Sequence, residues 1–155
     1  MYLISSCLCG INCKYSGGNN LNKECLHLLK EGKAILICPE QLGGLSTPRL
    51  PSEIVGKAED ILKGIDKIIN KNNINVTKEF LKGAEETLKI AKLHNINKAI
   101  LKEGSPSCGV NYVYDGSFTG NKIRGRGLTT ELLIKNGIKV ISDMNFTKES
   151  KNGDI

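Results

Sequence analysis

Three short apolar runs in this chain each lead to a cysteine set among loop-forming residues, and this pattern constrains the fold most strongly. Residues 1–6 run into Cys7, and residues 34–38 end on Cys38 just before Pro39. Residues 98–102 run through Glu103-Gly104-Ser105-Pro106-Ser107 to Cys108. Runs this short suit buried strands and fall well below the roughly 20 apolar residues that span a bilayer. Helical spacing separates them. Leu21, Cys25, Leu28 and Leu29 repeat before Gly32, and Phe80, Leu81, Ala84, Leu88 and Ala91 form a stripe within residues 77–94. Strands alternating with helices predict an α/β domain, mostly parallel sheet flanked by helices, as in a Rossmann-like three-layer sandwich. Such sheets bind ligands outside the carboxyl ends of their strands, which share one edge. Cys7, Cys38 and Cys108 are therefore expected to converge although distant along the chain.

Residues 10–20 are too rich in Gly and Asn for regular structure. Residues 39–52 carry Pro39, Pro48, Pro51 and the Gly43-Gly44 pair, which predicts neither helix nor much strand. So long a structureless stretch inside a compact domain points to function. Residues 54–73 give mixed signals, with a strand piece expected around 66–69. Residues 112–118 alternate about Asp115-Gly116, predicting a hairpin centred there. A helix is expected over 129–135, stopped by Gly137, and a last strand over 139–141. The single domain is expected to span 1–144, followed by a polar, frayed tail over 145–155.

A chain of 155 residues, 39% hydrophobic and 25% charged, buries a core without crosslinks, so its six cysteines need another purpose. No basic stretch precedes the N-terminal apolar run, which predicts a cytoplasmic protein with reduced thiols and no membrane partner. Several cysteines in that compartment indicate metal binding or thiol chemistry. The net charge of +6 comes mostly from scattered lysines, and aromatics are only 5% with no Trp. A sequence-independent nucleic-acid binder shows clustered cations with interleaved aromatics instead. A small anionic substrate or a modified RNA suits the surplus.

Cys7, Cys38 and Cys108 are the candidate ligands. Cys13 shares the first loop with Cys7 and reads as a further ligand, a thiol acting near the site, or a loop residue. Cys9 reads as a ligand or as small filler. Cys25, on the apolar face of a helix, reads as structural. His27 and His94 lie on expected helices, away from the loops. Zinc sites often show the pair C-x₂-C, which does not occur here. An iron–sulfur cluster accepts separated thiolates, and three of them leave one iron open. Spacing alone leaves cluster, zinc and metal-free thiols as alternatives.

The segments SSCLCGINCKYSGG, CPEQLGGLSTPRLPSE and LKEGSPSCG resemble the signatures of the thiouracil desulfidase family. NVTKEFLKGAEETL and the Gly-x-Gly-Leu-Thr segment before Thr129 match it as well, so the resemblance covers nearly the whole chain. It implies a 4Fe–4S cluster held by Cys7, Cys38 and Cys108 with one open iron. It further implies a reaction without net electron transfer, in which a thiolated uracil becomes the oxo form and sulfide is released. By motif position Glu40 matches a carboxylate suited to positioning or deprotonating the attacking water. Ser105 matches a serine suited to contacting the pyrimidine or that water. The family usually carries Cys-Arg-Tyr-Asp-Gly, whereas this chain has Cys13-Lys14-Tyr15-Ser16-Gly17. Lys14 keeps a charge but lacks the planar fork, and Ser16 replaces an acid.

Arg49, with Lys122, Arg124 and Arg126 ahead of the helix at Thr129, forms a candidate phosphate site, because a helix N-terminus favours anions. The expected substrate is a thiolated pyrimidine base, nucleoside or monophosphate. The rival readings are a metal or cluster module serving as a sensor or interaction partner, and a desulfidase acting on thiouridine in tRNA.

Overall fold

The computed structural model describes residues 1–153. Four strands, β1 (Tyr2–Ser5), β2 (Ala34–Ile37), β5 (Lys98–Leu101) and β8 (Lys139–Ser142), form one sheet in the order β2-β1-β5-β8, every pair parallel. Alternate residues face opposite sides, so each strand feeds two cores. Leu3, Ile37, Ala99 and Leu101 pack with Ala91 and Leu133 of helices α4 (Thr77–Leu93) and α5 (Leu128–Lys135). Ile4 and Ile100 pack with Cys25 of α1 (Lys23–Lys30) and Phe146 of α6 (Asp143–Asn152). Helices cover both faces, the arrangement an all-parallel sheet requires. The expected α/β sandwich is the observed one.

Two antiparallel ribbons are added. β3 (Ser52–Val55) pairs with β4 (Lys67–Asn70) across the short helix α3 (Ala58–Leu62). Ile54, Ile61 and Ile68 there build a third core with Phe80, Val113 and Leu128. β6 (Tyr112–Tyr114) pairs with β7 (Lys122–Arg124).

Three local expectations fail. The 39–52 stretch opens with a helical turn, α2 (Pro39–Leu42). Proline is tolerated at a first helical position, where its missing N–H has no partner to lose. The hairpin is not centred on Asp115-Gly116; its second strand begins at Lys122. Asp115 instead organises a longer loop, accepting hydrogen bonds from the Ser117 N–H (2.9 Å), the Ser117 hydroxyl (2.5 Å) and the Asn121 amide (2.8 Å). The expected tail over 145–155 is helical through Asn152, capped by Ser142, which accepts from the Asn145 N–H. Phe146 anchors it edge-on against Tyr2, with ring centroids 6.1 Å apart. Residues 154–155 of that tail lie outside the described residues.

Two devices position the loops at the carboxyl edge. First, α2 lies hard against α4. A Cβ on Gly43 would sit 1.9 Å from the Glu79 carbonyl oxygen, and one on Gly83 1.9 Å from that of Pro39. Second, the loop after β5 is tied around the carboxylate of Glu103, which is 4% exposed. Its Oε1 accepts N–H groups from Val110 (2.7 Å) and Asn111 (2.9 Å), and its Oε2 takes the Asn111 amide (2.7 Å). Burial pushes the Glu103 carboxyl up, but these donors outweigh it and hold it below the ordinary carboxylate range.

Gly83→Ala is expected to lower stability by about 1–3 kcal/mol, since backbone stands where the methyl would go. A urea midpoint equal to wild type would show that the helices can separate freely. Glu103→Gln is expected to cost about 1.5–3 kcal/mol near neutral pH. Because the folded pKa is depressed, that stabilisation is present above the unfolded value of about 4.3 and is lost as pH falls through the folded one. The gap between wild type and variant should therefore close in acid; a gap constant down to pH 3 would refute the ionised contact.

Candidate active site

Strand order reverses between β1 and β5: the chain passes from β1 outward to β2, then returns to β5 and on to β8. A crevice opens at such a switch point because adjacent connections leave in opposite directions. Here it is a cleft of about 440 Å³. Cys7 enters from a 3-10 turn (Ser6–Cys9) directly after β1. Cys38 follows β2 as the residue preceding α2. Cys108 enters from the Glu103-tied loop after β5. All three line the cleft, and so does Cys13. The convergence expected from the strand ends is realised.

The thiols are not equivalent. Cys13 is 1% exposed and lies beside Cys38 and Cys7, with Cys38 Sγ donating to the Cys13 carbonyl at 3.8 Å. Hydrogen bonding with the Cys38 and Cys7 sulfurs raises the Cys13 pKa far above the usual thiol value, with burial adding to the rise. The same contact lowers its partners. Cys38 is brought down to about 7, first by the Cys13 thiol, against burial and with help from the Gln41 N–H and the Arg49 charge. Cys7 is lowered too, chiefly by Cys13. Cys108 is pushed up, first by burial and then by the neighbouring Cys7 and Cys38 charges, although the Ser5 hydroxyl opposes this. Cys9 and Cys25 do not line the cleft. Burial raises them to about 11 and about 12, as expected of inert packed thiols.

Glu40, on the first turn of α2, is clamped from two sides. Arg49 Nε donates to Oε2 at 2.5 Å, and the Ser105 hydroxyl donates to Oε1 at 3.4 Å. The remaining Arg49 fork donates to the carbonyls of Cys13 (2.9 Å) and Ser46 (3.1 Å) and to the Thr47 hydroxyl (3.0 Å). The Arg49 side chain is 8% exposed and its fork is occupied by protein, so it holds Glu40 and the Cys13 loop instead of presenting itself to an anion. Ser105 Oγ also accepts the N–H groups of Ser107 (3.0 Å) and Cys108 (3.1 Å). Glu40, Ser105 and Cys108 are thus linked in one hydrogen-bonded run.

The other candidate phosphate residues lie elsewhere. Neither Lys122, Arg124, Arg126 nor Thr129 lines the cleft. Arg126 pairs with Glu131 at 3.2 Å, and Lys122 stands 4.7 Å over the Tyr112 ring. Thr129 is fully buried, its hydroxyl 2.8 Å from that of Ser107. The N-terminus of α5 is already satisfied by carbonyls: Leu128 N donates to Pro106 O (2.8 Å) and Thr129 N to Ser107 O (2.9 Å). A Cβ on Gly127 would lie 2.4 Å from the Ser107 carbonyl. The Gly-x-Gly segment therefore seats α5 against the Cys108 loop, a role its composition shares with anion binding. Lys14, Lys71 and Lys102 are the lysines that do line the cleft, joined by Tyr112, Tyr114 and Phe118 from the β6–β7 hairpin. Lys102 follows β5 directly and was discoverable from the strand-end rule; Lys71 and Phe118 carry no local signal.

The donor set suits a soft, extended group. Four sulfurs and no imidazole face the cleft. Among the described residues no three Cys, His, Asp or Glu close on a single ion. A multi-iron cluster is larger than one ion and is held by thiolates set further apart, with thiolate donors its usual choice. No described helix is long and apolar enough to cross a membrane.

Known proteins resemble this chain over nearly its whole length. YbbK of Bacillus subtilis (strain 168), described as uncharacterized, is 47% identical over 144 residues, spanning 92% of this chain and 95% of its own. A solved structure of TudS, described as a 4Fe–4S-dependent thiouracil desulfidase, superposes with a TM-score of 0.85 at 35% identity, covering 99% of this chain and 97% of that one. The family model for 2-thiouracil desulfurase matches residues 2–145, a span that takes in all four cleft cysteines, Glu40 and Ser105. The chain belongs to the 2-thiouracil desulfurase family.

Proposed function

We propose that this chain is an iron–sulfur-dependent desulfidase that converts a thiolated uracil compound to its oxo form and releases sulfide. The observation that carries the reading is the gathering of Cys7, Cys38 and Cys108 in one cleft with Glu40 and Ser105. In this reading those three cysteines hold a 4Fe–4S cluster. Bound there with one iron unligated by protein, it supplies a Lewis-acidic position for the soft thiocarbonyl sulfur.

The chain's own residues supply the rest. Glu40 orients a water and accepts a proton from it as its oxygen attacks the thiocarbonyl carbon. Arg49 keeps that carboxylate from turning away, since it grips Oε2 and leaves Oε1 toward Ser105. The Ser105 hydroxyl contacts the water or the ring, and it ties that contact to the Cys108 loop. The carbon exchanges one sulfur for one oxygen, both hydrogens of the water depart with the sulfur, and no electron is gained or lost. Lys14 and Lys71 line the cleft and suit an anionic substituent, Lys102 being paired with Asp143 at 3.4 Å, so nucleoside monophosphates belong among the substrates with the free base. A thiol-lined cleft of this kind belongs in a reducing compartment such as the cytoplasm.

Purified without oxygen, the protein is expected to be brown with about four irons per chain. Cys7→Ala, Cys38→Ala or Cys108→Ala should each remove the colour and sulfide release, with the fold checked by circular dichroism. Glu40→Gln should keep its iron and lose about 100- to 10,000-fold in kcat. Uracil formed normally by a colourless Cys108→Ala variant would refute the mechanism. Full iron with no sulfide from any thiolated base, nucleoside, nucleotide or tRNA would leave a metal-binding module instead.

A further inference from the structure

The cleft has an aromatic side that the cysteines, Glu40 and Ser105 leave unexplained. Tyr112, Tyr114 and Phe118 all come from the β6–β7 hairpin and its loop. Two of them already have protein partners. Tyr112 carries Lys122 over its ring at 4.7 Å and stands edge-on to Tyr114, with centroids 6.4 Å apart. Phe118 is different. It is half-buried, lines the cleft, and belongs to none of the apolar cores among the described residues.

Its backbone is also held in an unfavourable conformation. Phe118 has φ of 57°, a left-handed geometry that bulky residues avoid. Such strain persists only where the surroundings impose it, and it clusters at ligand-contacting positions. The imposing group is Glu53 of β3, whose Oε1 accepts the N–H of Gly116 (3.0 Å) and of Phe118 itself (3.2 Å). The loop is pressed onto the strand between these bonds: a Cβ on Gly116 would sit 2.7 Å from the Ile54 carbonyl oxygen. Asp115 fixes the loop from within. A ring with no packing task is thus held at the cleft by two backbone hydrogen bonds and a strained dihedral.

We infer that Phe118 is the face on which the substrate's pyrimidine ring stacks, and that Glu53 is the residue that positions it. The inference rests on the desulfidase reading and deepens it. A planar heteroaromatic ring is the ligand that a flat, unpartnered phenyl surface recognises, and stacking sets how the ring lies before any bond breaks. Phe118 therefore governs substrate binding more than the chemical step.

The test uses the iron-loaded protein, with thiouracil for turnover and uracil for binding. Phe118→Ala should raise KM for thiouracil and Kd for uracil roughly 5- to 150-fold. Its kcat should stay within about twofold and its iron content should equal wild type. Phe118→Tyr should restore binding, whereas Phe118→Leu, equally apolar but without a π face, should not. Glu53→Ala should reproduce the KM rise, and Glu53→Gln, whose Oε1 still accepts both N–H groups, should remain near wild type. An iron-replete Phe118→Ala variant with unchanged KM and Kd overturns the assignment while leaving the desulfidase reading intact. Wild-type protein that neither binds uracil nor releases sulfide overturns both.

Discussion

Parallel pairing of β1 with β2 and with β5 governs everything at the site. Parallel strands need crossover connections, which here carry helices to both faces of the sheet and bury it twice over. The same direction of travel delivers Cys7, Cys38 and Cys108 to one edge, because each lies just beyond the end of its strand or in the loop that follows. An antiparallel arrangement of the same runs would have sent one of these thiols to the far end of the molecule.

Gathering sulfurs places like charges together, and the surrounding groups answer that. The Cys13 thiol lowers the pKa of Cys38 and of Cys7, and Arg49 adds positive charge beside Cys38. Arg49 at the same time binds the Cys13 carbonyl and Glu40, so one guanidinium fixes two loops. On the other side Glu103 ties the Cys108 loop by its backbone, while Thr130 donates to the Cys108 carbonyl at 3.0 Å. The cleft is rigid because its loops are bonded to buried charges and helix ends, not because they are short.

The sheet and the meeting of the thiols could be read from the chain because strand length, strand polarity and helix spacing are local patterns with a fixed geometric outcome. Glu40 and Ser105 came from motif position, and both line the cleft. What escaped depends on partners that a sequence does not specify. Pro39 reads as a breaker and also starts a helical turn; only the packing of Gly43 on Gly83 decides between them. Arg49 and the segment before Thr129 carry the composition of an anion site, but nearby carbonyls and Glu40 satisfy them first. Glu103 was invisible because most of its partners are backbone N–H groups, which every residue but proline has. Phe146 turns an apparently polar tail into a docked helix with a single buried ring.

The β6–β7 hairpin leans on β3 and the third core, whereas the thiols hang from the parallel sheet and its own two cores. The two halves of the cleft rest on different packing and meet at Glu103, whose Oε1 also accepts the Tyr112 N–H at 3.3 Å. Drift at the tip of the hairpin, away from that tie, can reshape what enters without loosening the sulfur cradle, which gives relatives on this scaffold a route to new substrates that keeps the inherited chemistry.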